Sequence, residues 1–436
     1  MKLLYGTAGF RMNVDILFNN LEKIIDGIYY LLSICPRLKN YIGIMITASH
    51  NPIKDNGLKL IDYNGNMILE EEQTLLENFV NESINIIKSD IKYIVIGRDT
   101  RPSGDIIIKK IIKKLKICNI NYVGVVSTPV MHYITKQYYS TNFLYDDYLN
   151  YIDELRYEIF DPIMIDCAGG VGFNILSMIL NSSMIPFNSP NETELNKVCG
   201  SDYVCKYKKI NINIHKGCSL DGDADRLIFW FYKNNDLIIL YGDDILLLWT
   251  YYLKNLLSNL VVITTPYCNS AIITKIREWG IRVIKVKTGI RNLKEETKNH
   301  RNSIYFESNG HGTVSLTDKI DIPFNELIGD GIYNIVSTMI ILKRLKFNFE
   351  NWYDLVEKKN SKQISRPKSD FPELIMNDIG DRILEPKEIQ DKLDIINEKY
   401  NSNIFIRPSG TESIVRIYIE GDDLEILEDE INNIIL

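Results

Sequence analysis

The sequence predicts a multidomain α/β protein that closes with a small α+β unit, and three observations carry that prediction. Short apolar runs alternate with longer stretches in which apolar residues recur at helical spacing, the pattern of layered α/β domains. Polar loops bearing glycine or proline follow several of the apolar runs. From residue 361 onward the order changes to helix, strand, strand, helix.

Taken in order, Ile16, Leu17, Leu21, Ile24, Ile25, Ile28 and Leu32 mark one face of a helix, and residues 42–46 then read as a buried strand. A strand at 93–96, a helix at 106–117 and a strand at 122–126 complete a first domain, residues 1–155. The second, 156–254, opens on a strand at 163–166 and a turn at Gly169 and Gly170, and sets an apolar strand, 227–232, just after an acidic loop. The third, 255–360, follows a helix at 245–257. Its strands fall at 261–264, 283–286 and 304–306, its helices at 272–279 and 332–342. Residues 360–371 are polar, contain Pro367 and lack an apolar period, so they are expected to link into the fourth domain, 361–436. There the helix 389–400, strands 404–406 and 414–419, and a helix from Leu424 give the α+β unit.

Composition narrows the function. Apolar residues at 45% and charged residues at 25% describe an ordinary globular chain. A net charge of -7 argues against a general nucleic-acid binder, which needs a basic face to displace counterions from phosphates. The seven cysteines contain no C-x-x-C pair and read as reduced thiols, and no apolar run approaches the ~18 residues of a membrane span. The turn at residues 6–11 comes so early that no targeting segment is expected before it, and a cytoplasmic location follows.

Four loops carry chemistry. Thr47-Ala48-Ser49-His50-Asn51-Pro52 follows a buried strand and offers a serine hydroxyl; taken alone it is equally an Asn-Pro turn with a capping serine. In Asp221-Gly222-Asp223-Ala224-Asp225-Arg226, alternate carboxylates separated by small residues can face one hard cation. Arg226 and Tyr232 stand where an EF-hand needs Gly and Glu, which leaves magnesium or a solvated acidic turn. Glu307-Ser308-Asn309-Gly310-His311-Gly312-Thr313 combines carboxylate, amide and imidazole, suited to sugar hydroxyls, with glycines that permit close backbone approach; its bland alternative is a polar glycine turn. Arg407-Pro408-Ser409-Gly410-Thr411-Glu412, with Arg416 shortly after, has the guanidiniums, hydroxyls and glycine amides of a phosphate cradle, against the alternative of a turn with one exposed arginine.

One such loop falls in each domain, and the set resembles the α-D-phosphohexomutases along nearly the whole chain. The shared segments are Gly6 to Arg11, Thr47 to Pro52 with Asp55 to Lys59, Gly97 to Arg101, Asp221 to Arg226 and Arg407 to Glu412. Tyr5 before the first segment, Ser127-Thr128-Pro129 with His132-Tyr133, Ser219-Leu220 and the Asn-Gly-His-Gly of the third loop resemble the branch that acts on N-acetylated hexosamine phosphates. Ser308 departs from it, standing where that branch usually has alanine, and Lys206 to Lys209 has no counterpart to which a role attaches.

The resemblance implies a four-domain architecture, three similar α/β domains and the small one around a central cleft, and an isomerase in which Ser49 is a phosphoserine. It implies one Mg2+ on Asp221, Asp223, Asp225 and the Ser49 phosphate, and conversion of N-acetylglucosamine 6-phosphate to the 1-phosphate through a hexosamine 1,6-bisphosphate, supplying UDP-N-acetylglucosamine synthesis. Arg11 and Arg226 would neutralise charge, and Lys59, or less readily His50, would accept the hydroxyl proton. Thr288, Gly289, Glu307, Asn309, Gly310 and His311 would meet the sugar, and Arg407, Ser409, Gly410, Thr411 and Arg416 the phosphate that is not transferred. A phosphoglucomutase or phosphomannomutase, or a non-catalytic sugar-phosphate binder of the same fold, are the rival readings. The expected partner is a small sugar phosphate, with no nucleic acid and no membrane.

Overall fold

The computed structural model describes residues 3–6, 9–82, 93–115, 119–141, 155, 157–158, 160–179, 181–212, 214–409 and 413–435. It is a mixed α/β structure in two compact units, one comprising Met1–Tyr241, Asn309–Thr313 and Ile320–Lys346, the other Gly242–Ser308, Val314–Lys319 and Phe347–Leu436.

The first unit holds two five-stranded sheets. One contains β1 (Phe10–Asn13), β2 (Tyr41–Ile46), β3 (Asp55–Ile61), β4 (Tyr93–Arg98) and β5 (Asn119–Val125) in the order β1-β3-β2-β4-β5. β2, β4 and β5 run parallel, and β1 and β3 add antiparallel strands at one side. The helix Val14–Ile34 buries Leu17, Leu21, Ile24, Ile25 and Ile28, the stripe visible in the sequence, against this sheet's core. The other contains β6 (Ile163–Asp166), β7 (Met184–Phe187), β8 (Lys216–Leu220), β9 (Leu227–Lys233) and β10 (Asp236–Leu240) in the order β10-β9-β8-β6-β7. Its plan repeats the first: β8, β6 and β7 are parallel, and β9 and β10 are antiparallel additions.

A third sheet contains β11 (Leu260–Thr264), β12 (Arg282–Lys285), β13 (Asn302–Phe306) and β14 (Gly312–Leu316) in the order β12-β11-β13-β14, and all of it but Gly312 and Thr313 is assigned to the second unit. A three-stranded antiparallel sheet, β15 (Asn360–Pro367), β19 (Ile414–Gly421) and β18 (Asn403–Pro408), packs with the helices Lys387–Lys399 and Leu424–Ile435 around Leu393, Ile406, Ile417 and Leu427. A short pair, β16 (Ile375–Met376) and β17 (Ile383–Glu385), completes it.

Two expectations need correction. Residues 360–367 are not a linker but β15, paired with β19 from Asn360 to Pro367. An edge strand takes its hydrogen bonds from one neighbour and exposes most of its side chains, so it needs no apolar period, and only Ile364 packs on the core. The helix expected over 245–257 starts at Gly242 and ends at Leu253, because Asp243 and Asp244 occupy its first turn. Among the described residues no helix is long and apolar enough to cross a membrane.

Candidate active site

β2 and β4 are parallel neighbours, so the loops leaving their carboxyl ends lie side by side, the position at which open α/β sheets place ligands. The loop after β2 carries Ser49 and the loop after β4 carries Asp99 and Arg101. Ser49 is buried and sits at φ 52°, the left-handed region that a serine seldom enters. Its Oγ donates to Asp221 Oδ2 at 2.6 Å, and its N–H donates to Thr47 Oγ1 at 2.8 Å. Thr47 Oγ1 in turn donates to Asp99 Oδ2, which pairs with Arg101.

The acidic loop joins β8 to β9, and one ligand oxygen from each of Asp221, Asp223 and Asp225 lies within 4.8 Å of the others, all three residues buried. Neighbouring segments fix its backbone: the N–H groups of Val171, Thr128 and Gly331 donate to the carbonyls of Gly222, Asp223 and Ala224. Lys59 Nζ donates to Asp223 Oδ2 at 2.7 Å and Asp225 Oδ2 at 2.8 Å, and Thr128 Oγ1 donates to Asp223 Oδ2 at 2.6 Å.

The electrostatics of the cluster follow from burial and from its neighbouring cations. Burial together with Asp225 and Asp223 pushes the Asp221 carboxyl well above the carboxylate range. Burial opposes ionisation of Asp223 and Asp225, as does Asp223 for Asp225, but Lys59, with Thr128 and Arg11 at Asp223 and with His311 and Arg226 at Asp225, holds both below their usual values. Conversely, burial would lower Lys59, and the two aspartates raise it, so it is a firmly charged ammonium. Asp223 Oδ1 and Asp225 Oδ1 are buried with no hydrogen-bond partner. Orphaned carboxylate oxygens in an oxygen-only donor set fit a hard divalent cation.

Arg11 and Arg226 stand beside the cluster. Burial and the nearby Arg226 lower the Arg11 guanidinium, partly offset by the three aspartates, and Arg226 N–H donates to Asp221 Oδ1 at 3.2 Å. His50 is held well below its usual pKa by burial and by the two arginines, so it is neutral, and its Nδ1 is buried without a partner. His311 lies in the same unit. Its Nδ1 is 3.9 Å from Asp225 Oδ1, burial lowers its pKa to about 4, and its N–H donates to Asn309 Oδ1. A Cβ at Gly310, where φ is 87°, would stand 1.8 Å from Leu227 O, so the backbone contact to the start of β9 requires glycine.

The remaining predicted residues belong to the second unit. Glu307 Oε1 accepts from Gly289 N–H at 2.9 Å, and Arg407 Nη1 donates to Thr288 Oγ1 at 2.6 Å, which ties the Thr288–Gly289 turn to Glu307 on one side and to β18 on the other. Arg407 and Arg416 are directly opposed on β18 and β19, two guanidinium-bearing residues at one level of the sheet. Ser409 N–H donates to Ile414 O; Gly410 and Thr411 lie outside the described residues. Ser308 Oγ donates to Asp243 Oδ1 at 2.8 Å, with Tyr267 O at 3.1 Å as the alternative acceptor of its one proton.

Sequence reasoning gave no role to Thr128, Arg101, Asn196 or Tyr267. The Tyr267 ring packs on Phe405 and Tyr418, and its hydroxyl is buried without a partner; burial raises its pKa against the pull of Arg407 and Arg416. No local sequence signal marks Tyr267 or Asn196. Arg101 and Thr128 stood inside segments already noticed, where the charge of one and the hydroxyl of the other were the available clues.

Comparison with known proteins fits this geometry. Residues 241–327 match the family model described as "Phosphoacetylglucosamine mutase AMG1, domain III". Residues 30–86 and 78–145 match that of "Phosphoglucomutase/phosphomannomutase, alpha/beta/alpha domain I", and 378–435 that of the C-terminal domain of the same proteins. A phosphoacetylglucosamine mutase of Schizosaccharomyces pombe is 30% identical over 96% of this chain and 96% of its own, and that of Homo sapiens is 29% identical over 97% and 91%. A crystal structure of an N-acetylglucosamine-phosphate mutase in its product complex superposes with a TM-score of 0.88 at 26% identity, covering 100% of this chain and 96% of that one. The buried serine on its carboxylate cluster, the opposed arginines of β18 and β19 and relatives matched over nearly their whole length converge: the chain belongs to the phosphoacetylglucosamine mutase family of the α-D-phosphohexomutases.

Proposed function

We propose that the chain interconverts N-acetylglucosamine 6-phosphate and N-acetylglucosamine 1-phosphate, with Ser49 as the phosphoryl carrier. The observation that carries this reading is the buried Ser49 Oγ, held 2.6 Å from Asp221 in a cluster of three carboxylates. A binding protein has no use for a hydroxyl placed there, and the full-length likeness to mutases of N-acetylglucosamine phosphate names the substrate.

The free sugar hydroxyl attacks the phosphorus of the Ser49 phosphate. A new O–P bond forms as the Ser49 Oγ–P bond breaks, and the hydroxyl proton passes to a base. The 1,6-bisphosphate then returns its other phosphoryl group to Ser49, leaving the second monophosphate. Asp221, Asp223 and Asp225, with the Ser49 phosphate, would hold one Mg2+. Bound there, it would neutralise phosphoryl charge and lower the pKa of the neighbouring Lys59. Arg11 and Arg226 add positive charge where the phosphate oxygens gather. Lys59 holds Asp223 and Asp225, and His50, neutral with a bare Nδ1, is the second proton acceptor within the same unit.

Arg407, Arg416, Ser409, Gly410 and Thr411 bind the phosphate that is not transferred, and the unpartnered Tyr267 hydroxyl adds a donor beside the two arginines. Glu307, Thr288 and Gly289 orient sugar hydroxyls, with Asn309, Gly310 and His311 on the acetamido side. The four larger sheets serve as the cores of four domains, 1–155, 156–254, 255–360 and 361–436, and the enzyme works in the cytoplasm. Turnover of N-acetylglucosamine 6-phosphate beside glucose 6-phosphate, in Mg2+, tests the reading. Preference for the acetylated substrate supports it, and preference for glucose 6-phosphate overturns it.

A further inference from the structure

Ser49 is held from behind by two residues that no part of the reaction has yet used. Its carbonyl accepts from Arg101 Nη2 at 2.9 Å and from Asn196 Nδ2 at 2.8 Å. The same two nitrogens reach the carbonyl of Asn51, at 2.8 Å and 3.0 Å, so two donors and two acceptors close a four-bond box under the loop. Arg101 is fully buried and spends every donor locally: Nε goes to Asp99, and Nη1 to the carbonyls of Pro52 and Asp55. Asn196 comes from a different segment, its own N–H donating to Ala168 O and its φ of 57° being one that asparagine tolerates. A Cβ on Gly222 would stand 2.9 Å from Ser49 O and 3.0 Å from Asn196 Nδ2, so the metal loop leaves space for this contact.

We propose that Asn196 and Arg101 are positioning residues for phosphoryl transfer: by gripping the carbonyls on either side of His50 they keep Ser49 in the left-handed conformation that aims its Oγ at the aspartate cluster. The inference rests on the reading of Ser49 as phosphoryl carrier. Serine at φ 52° is disfavoured by its own backbone and persists only where surroundings over-determine it. The phosphate must leave Ser49 and return to the same place, so the hydroxyl cannot relax to the ordinary conformation in between. Arg101 closes the loop on itself, whereas Asn196 anchors it to the connection after β7, which its own N–H ties to Ala168 in the connection after β6, where Val171 N–H supports the metal loop at Gly222.

The test uses Asn196→Ala, which deletes both bonds, and Asn196→Asp, which keeps the shape but turns acceptor oxygens toward two carbonyls. Asn196 is only half-buried, so both variants are expected to fold. The readouts are the single-turnover rate of transfer from radiolabelled Ser49 phosphate to N-acetylglucosamine 6-phosphate, the KM for that substrate, and Tm. With each hydrogen bond worth about fivefold, the alanine variant should transfer roughly twentyfold more slowly, the aspartate variant more slowly still, and KM should move less than about twofold. Transfer within about twofold of wild type in both, or equal losses that simply follow a falling Tm, overturns the inference. Ser49→Ala runs alongside with bisphosphate supplied. If it turns over, the reading of Ser49 itself is wrong; if it is dead while the Asn196 variants are unimpaired, only the clamp is wrong.

Discussion

Asp243→Asn should make the protein more stable in weak alkali while leaving it little changed in acid. Asp243 is 6% exposed at the start of the helix Gly242–Leu253, and burial lifts its carboxyl to about 7 despite hydrogen bonds from Ser308 Oγ and Asn269 N–H. A pKa raised in the folded state means that the folded protein binds the proton more tightly than the unfolded chain. That contribution is complete below about pH 4, where both states are protonated, and is lost as pH rises through 7. From the ordinary 3.8 to about 7 is close to three pH units, and at about 1.4 kcal/mol each the group costs about 4 kcal/mol at pH 8 relative to pH 4. Asparagine cannot ionise. Its carbonyl can accept from Asn269 N–H and its amide can donate to Ser308 Oγ, whose own proton has Tyr267 O at 3.1 Å as an alternative acceptor. Urea denaturation of wild type and variant at pH 5, 6, 7 and 8 measures the difference. The variant's advantage should grow by about 3 kcal/mol between pH 5 and pH 8, two pH units at about 1.4 kcal/mol each. Parallel curves, or a wild type more stable at pH 8, would refute the reasoning.

Two further outcomes concern the site. Lys59→Met removes the ammonium from between Asp223 and Asp225, so calorimetry should find Mg2+ bound about fivefold or more tighter and melting should show a larger stabilisation by Mg2+, while turnover falls; weaker binding would contradict the cation assignment. Arg407→Ala removes one of two opposed guanidiniums and its bond to Thr288, and at about 1.5–3 kcal/mol for a charged hydrogen bond the KM for N-acetylglucosamine 6-phosphate should rise roughly ten- to hundredfold with Tm nearly unmoved, which steady-state kinetics and a melt together check.

How legible these features were in the sequence depended on how local their cause is. The helix Val14–Ile34 announces itself because its buried face repeats every three to four residues, and β2 because all six of its residues are buried. β15 was unreadable because its partner β19 lies some fifty residues away and its side chains are mostly in solvent. The helix Glu70–Asn81 was passed over because its acidic first turn hides the short stripe of Leu76, Phe79 and Val80. The site behaved likewise. Ser49, the three aspartates and the arginines were nameable as types in suitable loops, but nothing local reveals the left-handed φ of Ser49. Lys59 meets Asp223 across 164 positions and Asn196 meets Ser49 across 147, so each pairing exists only once the sheets are assembled. Ser308, a departure from the family pattern that adds only a hydroxyl, proves to be the partner of a buried carboxyl.

The most direct measurement is conversion of N-acetylglucosamine 6-phosphate to the 1-phosphate by wild type and Ser49→Ala, in Mg2+ with the 1,6-bisphosphate supplied. The wild type should convert it, become labelled at Ser49 by radioactive bisphosphate, and lose activity to a chelator; Ser49→Ala should fold, bind substrate and show no turnover. Near-normal turnover by Ser49→Ala would contradict the phosphoserine mechanism on which the whole assignment stands.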